Sequence, residues 1–218
     1  MEGPTAAMAY RQTERTRRHA QEKQVAFLEA AHDLVAHVGF AGAKVSAIAR
    51  ACGSSTGSLY SYFGSRDELL AEVFRRAADH ELTVVRAAVA GAPDDPSARL
   101  GALVDTFTQR ALRSRRMAWS LLFEPVSPAV EGERLVYRRA YVALGEDVIR
   151  DGIEENLFAR QNVRVASSAV IGAISEALVG RLAPEVEPHD VLDMKDEQLV
   201  AEIRDFCFRA LGSTRTMK

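Results

Sequence analysis

The stretch VSAIARACGSSTGSLYSYFGSRDELL, Val45 to Leu70, decides how the chain is read. Ile48, Ala49 and Cys52 recur at helical spacing, and Gly53 supplies the left-handed residue that stops a helix. Ser54 and Ser55 make a turn, and the Ser55 hydroxyl can cap a second helix running from Thr56 to about Phe63. Leu59 and Phe63 share one face of that helix. Its leading and opposite positions, Thr56, Gly57, Ser58 and Ser61, are small or hydroxylated, so a narrow groove can admit it. Ser65-Arg66-Asp67-Glu68 is a capping box that starts a third helix.

Two short helices around a glycine turn suit a helix-turn-helix, whose second helix enters the DNA major groove by its N-terminal end. Tyr60 and Tyr62 offer phenolic donors to phosphates, and Lys44 and Arg66 place positive charge at either end of the unit. The candidate DNA contacts are Lys44, Ser46, Ser55, Thr56, Gly57, Ser58, Tyr60, Ser61, Tyr62 and Arg66. The wording I-A-x-x-x-G-x-x-x-G-S-L-Y-x-Y-F-x-S-R-x-E-L resembles the DNA-binding signature of the tetracycline-repressor (TetR/AcrR) family of bacterial transcription regulators. The resemblance covers Phe27 to Phe74 in detail. It implies Gly53 as turn glycine, Gly57 as the glycine of close approach, Tyr60 as a phosphate contact and Arg66 as the basic residue of the next helix start. Three residues depart from the pattern: Ser54 for a buried valine, Cys52 for alanine, and Lys44 for a capping Ser or Thr.

The remaining chain supports an all-α fold. Of 218 residues 47% are hydrophobic and 7% aromatic, with alanine, leucine, valine and arginine abundant, which favours helices over sheet. Net charge is −2, yet residues 1–66 carry 8 Lys/Arg against 5 Asp/Glu, while the rest carries 20 against 25. A basic head on an acidic body suits a protein that presents one end to DNA. No apolar run is expected to reach the length of a membrane span, and the N-terminus lacks an apolar signal region, so a cytoplasmic protein is expected. Cys52 and Cys207 read as small core residues rather than a disulfide or metal site.

The expected organisation is a flexible basic arm (1–20), a helix-turn-helix domain (21–66), a connecting helix (67–90) and a larger helical domain (91–218) for ligand binding and dimerisation. Residues 1–13 read as a mobile tail, and Arg15 to Lys23 as either a basic arm towards DNA or a solvated face. Phe27, Ala30, Ala31, Leu34, Val35 and Val38 form the stripe of a first helix that Gly39 ends, with Phe40 folding back. Beyond a loop at Gly91–Pro96, with Asp95 as cap, helices are expected at about 96–113, 117–123, 128–156, 163–182 and 194–211. Leu135, Tyr137, Tyr141, Leu144, Val148 and Ile149 are the apolar positions of the third of these, and a loop at Pro184–Pro188 precedes the last.

Catalytic chemistry is absent from the motifs: no glycine-rich phosphate loop, metal-spaced cluster or nucleophile elbow occurs, and no cofactor or metal is expected. Cys207 with His189 is a poor nucleophile and base, because Cys207 lies in an apolar stripe. Phe107, Arg110, Trp119, Phe123, Glu124, Tyr137 and Tyr141 mix apolar walls with a few polar groups and are the candidate pocket. The family resemblance implies an inducer pocket in this region. Gly172, Ser175, Val179 and Gly180, with Leu199, Ile203 and Phe206, are the candidate dimer interface, and the resemblance implies a dimer built from the last two long helices. Expected partners are a palindromic double-stranded operator, a small apolar or amphipathic effector that releases a repressor, and a second copy of the chain. The competing reading is an architectural DNA-binding protein without an effector.

Overall fold

The computed structural model describes residues 14–184 and 194–213, which form helices and no strand. The expected tail at 1–13, most of the expected 184–188 loop and His189 lie outside the described residues. Helix α1, Glu14–Gly42, carries the basic stretch and the apolar stripe in one element. Phe27, Ala31 and Val35 are buried, whereas Arg15, Arg17 and Arg18 face solvent. Gly39 breaks the helical path at φ +77°, and Phe40 turns back into the core behind it.

Helices α2 (Val45–Ala51), α3 (Thr56–Tyr60) and α4 (Arg66–Gly91) follow. Gly53 adopts φ +57° in the turn between α2 and α3. Ser55 Oγ accepts the Ser58 N–H at 3.1 Å, as an N-cap should, but α3 ends at Tyr60 rather than near Phe63. Phe63 is nevertheless buried beside Leu59. At the start of α4 the Ser65 hydroxyl accepts the Glu68 N–H at 3.0 Å, while the Glu68 carboxylate reaches the Gly64 N–H at 2.9 Å. The reciprocal half of the capping box is therefore displaced by one residue.

Pro96 opens α5 (Pro96–Arg113), capped by Asp95, whose carboxylate accepts the Ala98 N–H at 3.2 Å. Helices α6 (Arg115–Leu122), α7 (Pro128–Glu154), α8 (Val163–Leu182) and α9 (Asp196–Ala210) complete the described chain. Two apolar cores result. The first gathers Phe27, Val35, Ile48, Leu59, Leu69 and Phe74, and also takes Leu121 from α6 and Val130 from α7. The second joins Leu100 and Leu103 of α5 to Ile149, Ile174, Leu178, Ile203 and Cys207 from the three last helices. Each such side chain contributes about 1.5–3 kcal/mol when fully buried, so the two cores dominate stability. Helix α4 enters both, with Leu69 and Phe74 in the first and Val85 and Val89 in the second.

Two expectations need correction. Leu135 is 44% exposed and its neighbour Val136 is exposed too, because Arg134 takes the inward position on that turn of α7. Helix α8 is long and apolar enough to cross a membrane by length and composition, contrary to the expectation that no run reaches that length. Its residues Ile171, Ile174 and Leu178 nonetheless belong to the second core. The cysteines behave as small core residues: the Cys52 thiol donates to the Ala26 carbonyl at 3.3 Å, and Cys207 is fully buried. Burial pushes the Cys207 thiol up to about 11, far from an activated thiolate.

Candidate DNA-reading head and ligand cavity

The leading end of α3 projects from the first core with Thr56, Gly57 and Tyr60 exposed, Tyr60 at 49%. Leu59 anchors the helix from behind. A Cβ on Gly57 would meet only the Ser55 hydroxyl, at 3.9 Å, so nothing within the chain demands glycine there. An exposed helical glycine costs about 0.5–1 kcal/mol relative to alanine, so its use points to something outside that must come close. Lys44 and Ser46 stand exposed at the start of α2, and Lys44 makes no capping bond.

Other candidates are occupied by the fold. The Ser61 hydroxyl donates to the Ser58 carbonyl at 2.6 Å, and the Ser55 hydroxyl serves as a cap. Tyr62 is half-buried, its ring 5.7 Å from that of Phe27. The Arg66 guanidinium donates to the carbonyls of Phe40 at 2.5 Å and Ala43 at 3.3 Å. It ties α4 to the end of α1 instead of standing free at the edge of the unit. Ser54, in place of a buried valine, is half-buried and satisfies its hydroxyl on the Cys52 carbonyl at 3.1 Å.

In the body a cleft of about 690 Å³, the open solvent at its mouth included, lies between α4, α5, α6 and α7. Of the seven candidates, Phe107, Arg110, Tyr137 and Tyr141 line it. Trp119, Phe123 and Glu124 do not. Trp119 stacks obliquely on Phe123 at 5.4 Å, and Glu124 points at α1. On α6 it is Met117, Ala118, Leu121 and Leu122 that face the cavity, which leaves Trp119 on another side of the same helix. Sequence reading missed the α4 wall of Phe74, Ala78, Glu81 and Val85. Their recurrence at steps of three and four residues was a visible signal, but it is also the signal of an ordinary core stripe.

The cavity's polar groups are largely paired. Arg110 makes a two-point ion pair with Glu81, with Nη2 2.9 Å from Oε1 and a second contact from Nε to Oε2. The Tyr137 hydroxyl donates to the Arg75 carbonyl at 3.0 Å. Burial raises the Tyr141 hydroxyl well above its usual range, so it stays protonated and can donate. Arg134, buried, donates to the carbonyls of Leu121 at 2.9 Å and Glu124 at 2.7 Å.

The interface candidates divide in two. Leu199 and Ile203 are buried in the chain's own second core, since they share the inner face of α9 with Cys207. Phe206 falls on the outer face and is 52% exposed. Gly172 is exposed with open space before its Cα, whereas Val179 and Gly180 are half-buried. Ser175 is half-buried as well and donates to the Ile171 carbonyl at 2.9 Å. No grouping of His, Cys, Asp and Glu suited to a metal occurs among the described residues.

Two family models match the chain and together cover well over half of it. Residues 27–73 match the bacterial regulatory proteins of the tetR family, and residues 93–178 match a tetracyclin repressor-like C-terminal domain. The chain belongs to the TetR family. Among solved structures it is similar to FadR of Bacillus halodurans, a fatty acid degradation regulator. That match has 20% identity and a TM-score of 0.71, covering 88% of this chain and 97% of that one. FadR of Bacillus subtilis, solved with stearoyl-CoA, gives 15% identity and the same TM-score over 85% and 98%. AibR, solved with isovaleryl coenzyme A and operator DNA, gives 19% and 0.65 over 85% and 98%. No curated protein matches. As a TetR-family transcription regulator, the chain places its helix-turn-helix DNA-binding unit in α1–α3 and its all-helical body behind it.

Proposed function

We propose that the protein is a homodimeric repressor that binds a palindromic operator and leaves it when an apolar or amphipathic small molecule fills the cavity. The observation that carries this reading is the position of Phe74. It packs in the core that holds the DNA-reading helices, 6.0 Å from the Phe40 ring, and it also lines the cavity. A ligand that prefers one setting of α4 thereby prefers one setting of the head, and it shifts operator affinity by that difference alone.

The walls favour an alkyl or aromatic body over a compact anion. Arg110 is already neutralised by Glu81, so a negative ligand finds no free guanidinium there. Exposed Arg138 at the rim is the cation left for an amphipathic ligand's charged end. The acyl-CoA molecules bound by FadR of Bacillus subtilis and by AibR have this build, which supports an acyl chain as a candidate occupant. Contacts from Thr56, Gly57, Ser58 and Tyr60 to DNA, with Lys44 and Ser46 at the neighbouring backbone, complete the reading. Dimerisation is assigned to the outer faces of α8 and α9, where Val165, Gly172 and Phe206 are exposed.

The test is release of a duplex selected from random DNA. Stearoyl-CoA, isovaleryl-CoA and a panel of apolar compounds are titrated into the complex. Loss of binding with at least one, at a concentration that also raises the melting temperature of free protein, is expected. If compounds that bind the protein never alter DNA affinity, the effector half of the reading fails.

A further inference from the structure

The break at Gly39 is gripped from the body. Arg116 Nη2 donates to the Val38 carbonyl at 2.8 Å, on one side of the glycine. On the other side the Glu124 carboxylate accepts two backbone N–H groups, Phe40 on Oε2 and Ala41 on Oε1, each at 3.0 Å. A Cβ at residue 39 would collide with the Arg116 guanidinium and both Glu124 oxygens, and the φ of +77° independently favours glycine. Glu124 is 5% exposed, and its bond to the Phe40 N–H is buried while that to Ala41 is part-buried; a charged acceptor strengthens both.

The same residues connect to the cavity. Arg134 lines it with its guanidinium 5.9 Å from the Phe74 ring centre. That guanidinium gathers the carbonyls of Ser120, Leu121 and Glu124, which are the C-terminal end of α6 and the turn after it. One residue, Glu124, therefore gives its carbonyl to the cavity wall and its carboxylate to the head. On the head side the Phe40 peptide is held from both ends, its N–H by Glu124 and its carbonyl by Arg66 of α4. A solvent-open crevice lined by Phe40, Arg66, Pro125 and Ser127 lies beside this grip.

We propose that Glu124 and Arg116 are positioning residues that set the angle of the DNA-reading head at Gly39, and that Arg134 passes the state of the cavity to them. This rests on the cavity being the effector site. It adds a second line of coupling, through the end of α6, to the one through α4. The Glu124 and Arg134 contacts are directional hydrogen bonds, which favour set arrangements over a continuum and so suit a switch.

The experiment uses the full chain, a duplex selected from random DNA, and a filled cavity in place of an unidentified ligand. Ala111→Phe, or Ala78→Phe should the first fail to fold, supplies the filling from α5 or α4. Each is made with Glu124 and with Glu124→Gln, and amide exchange at Phe40 and Ala41 is followed alongside DNA affinity. The expected result is that filling lowers affinity about tenfold and speeds exchange at both amides with Glu124 present. In the Glu124→Gln background both readouts are already shifted, and filling adds less than twofold. If filling lowers affinity equally in both backgrounds, the Glu124 grip is overturned while the cavity reading stands. If filling changes affinity in neither, the cavity reading fails and takes this coupling with it. Gly39→Ala should reproduce the Glu124→Gln exchange pattern, and normal protection at Phe40 and Ala41 in that variant would also overturn the grip.

Discussion

Arg110 on α5 and Glu81 on α4 close a two-point ion pair across the cavity wall, each a little over one quarter exposed. The pair ties together two helices that share the second core, and it neutralises the Arg110 charge on that wall. Replacing Arg110 by Met leaves a partly buried carboxylate without its partner, at a cost of about 1–2 kcal/mol after allowance for solvent screening. Replacing both residues by Met should restore most of that loss. Urea unfolding of the two single variants and the double variant measures it, and additive losses would show that the pair is not coupled.

Gly57 is predicted to separate folding from binding. Gly57→Ala has space for its methyl group and should raise stability by about 0.5–1 kcal/mol through helix propensity. If DNA approaches closely at Gly57 as proposed, the same methyl obstructs it, so affinity for the selected duplex should fall. Tyr60→Phe should weaken binding to every sequence by a similar factor, worth about 1 kcal/mol for one phosphate bond. A Gly57→Ala chain that melts later and binds as before would remove the close-approach role.

The dimer prediction moves to the outward residues. Phe206→Glu places a charge on an exposed ring position, and Gly172→Leu puts a bulky side chain where the proposed partner's helix would pack, at about 1–3 kcal/mol. Sedimentation should show monomer for either variant at micromolar protein. Leu199→Ala should instead lower the melting temperature, because that side chain sits in the chain's own core.

The acid side of the stability curve carries a mark of Glu124. Burial alone would raise its pKa, but the Ala41 and Phe40 N–H groups and the nearby Arg116 charge outweigh it and hold it below the ordinary 4.5. A depressed carboxylate contributes stability that is fully present above its unfolded pKa and is lost as pH falls through the folded one. The wild-type chain should therefore lose stability relative to Glu124→Gln as pH drops below about 4. Parallel curves for the two chains would show that the carboxylate gains nothing from its partners.

The head was legible because its grammar is local. Gly53, the Ser55 cap and Leu59 each act within a few residues, and each behaves in the structure as spacing and chemistry indicate. The cavity was legible only in part. Composition points to Phe107, Arg110, Tyr137 and Tyr141, which line it, but also to Trp119, which does not, because the apolar face of α6 (Met117, Ala118, Trp119, Leu121, Leu122) is wider than the part that meets the cavity. Leu199 and Ile203 failed for a related reason: an apolar stripe looks the same whether its own chain or a second copy covers it. Arg66 and Glu124 carry charges that sequence assigns to DNA or ligand. Their partners, the Phe40 peptide in both cases, lie 26 and 84 residues away and leave no local trace.

Selection of binding sites from random double-stranded DNA, by the wild-type chain and by Thr56→Ala and Ser58→Ala variants, tests the proposed dimeric DNA reader most directly. The wild type should enrich an inverted repeat, with half-sites related by the two-fold axis of a dimer. The variants should change base preference within each half-site and keep the repeat spacing. Enrichment of no sequence, or of one half-site without its inverted mate, would rule out a two-fold sequence reader.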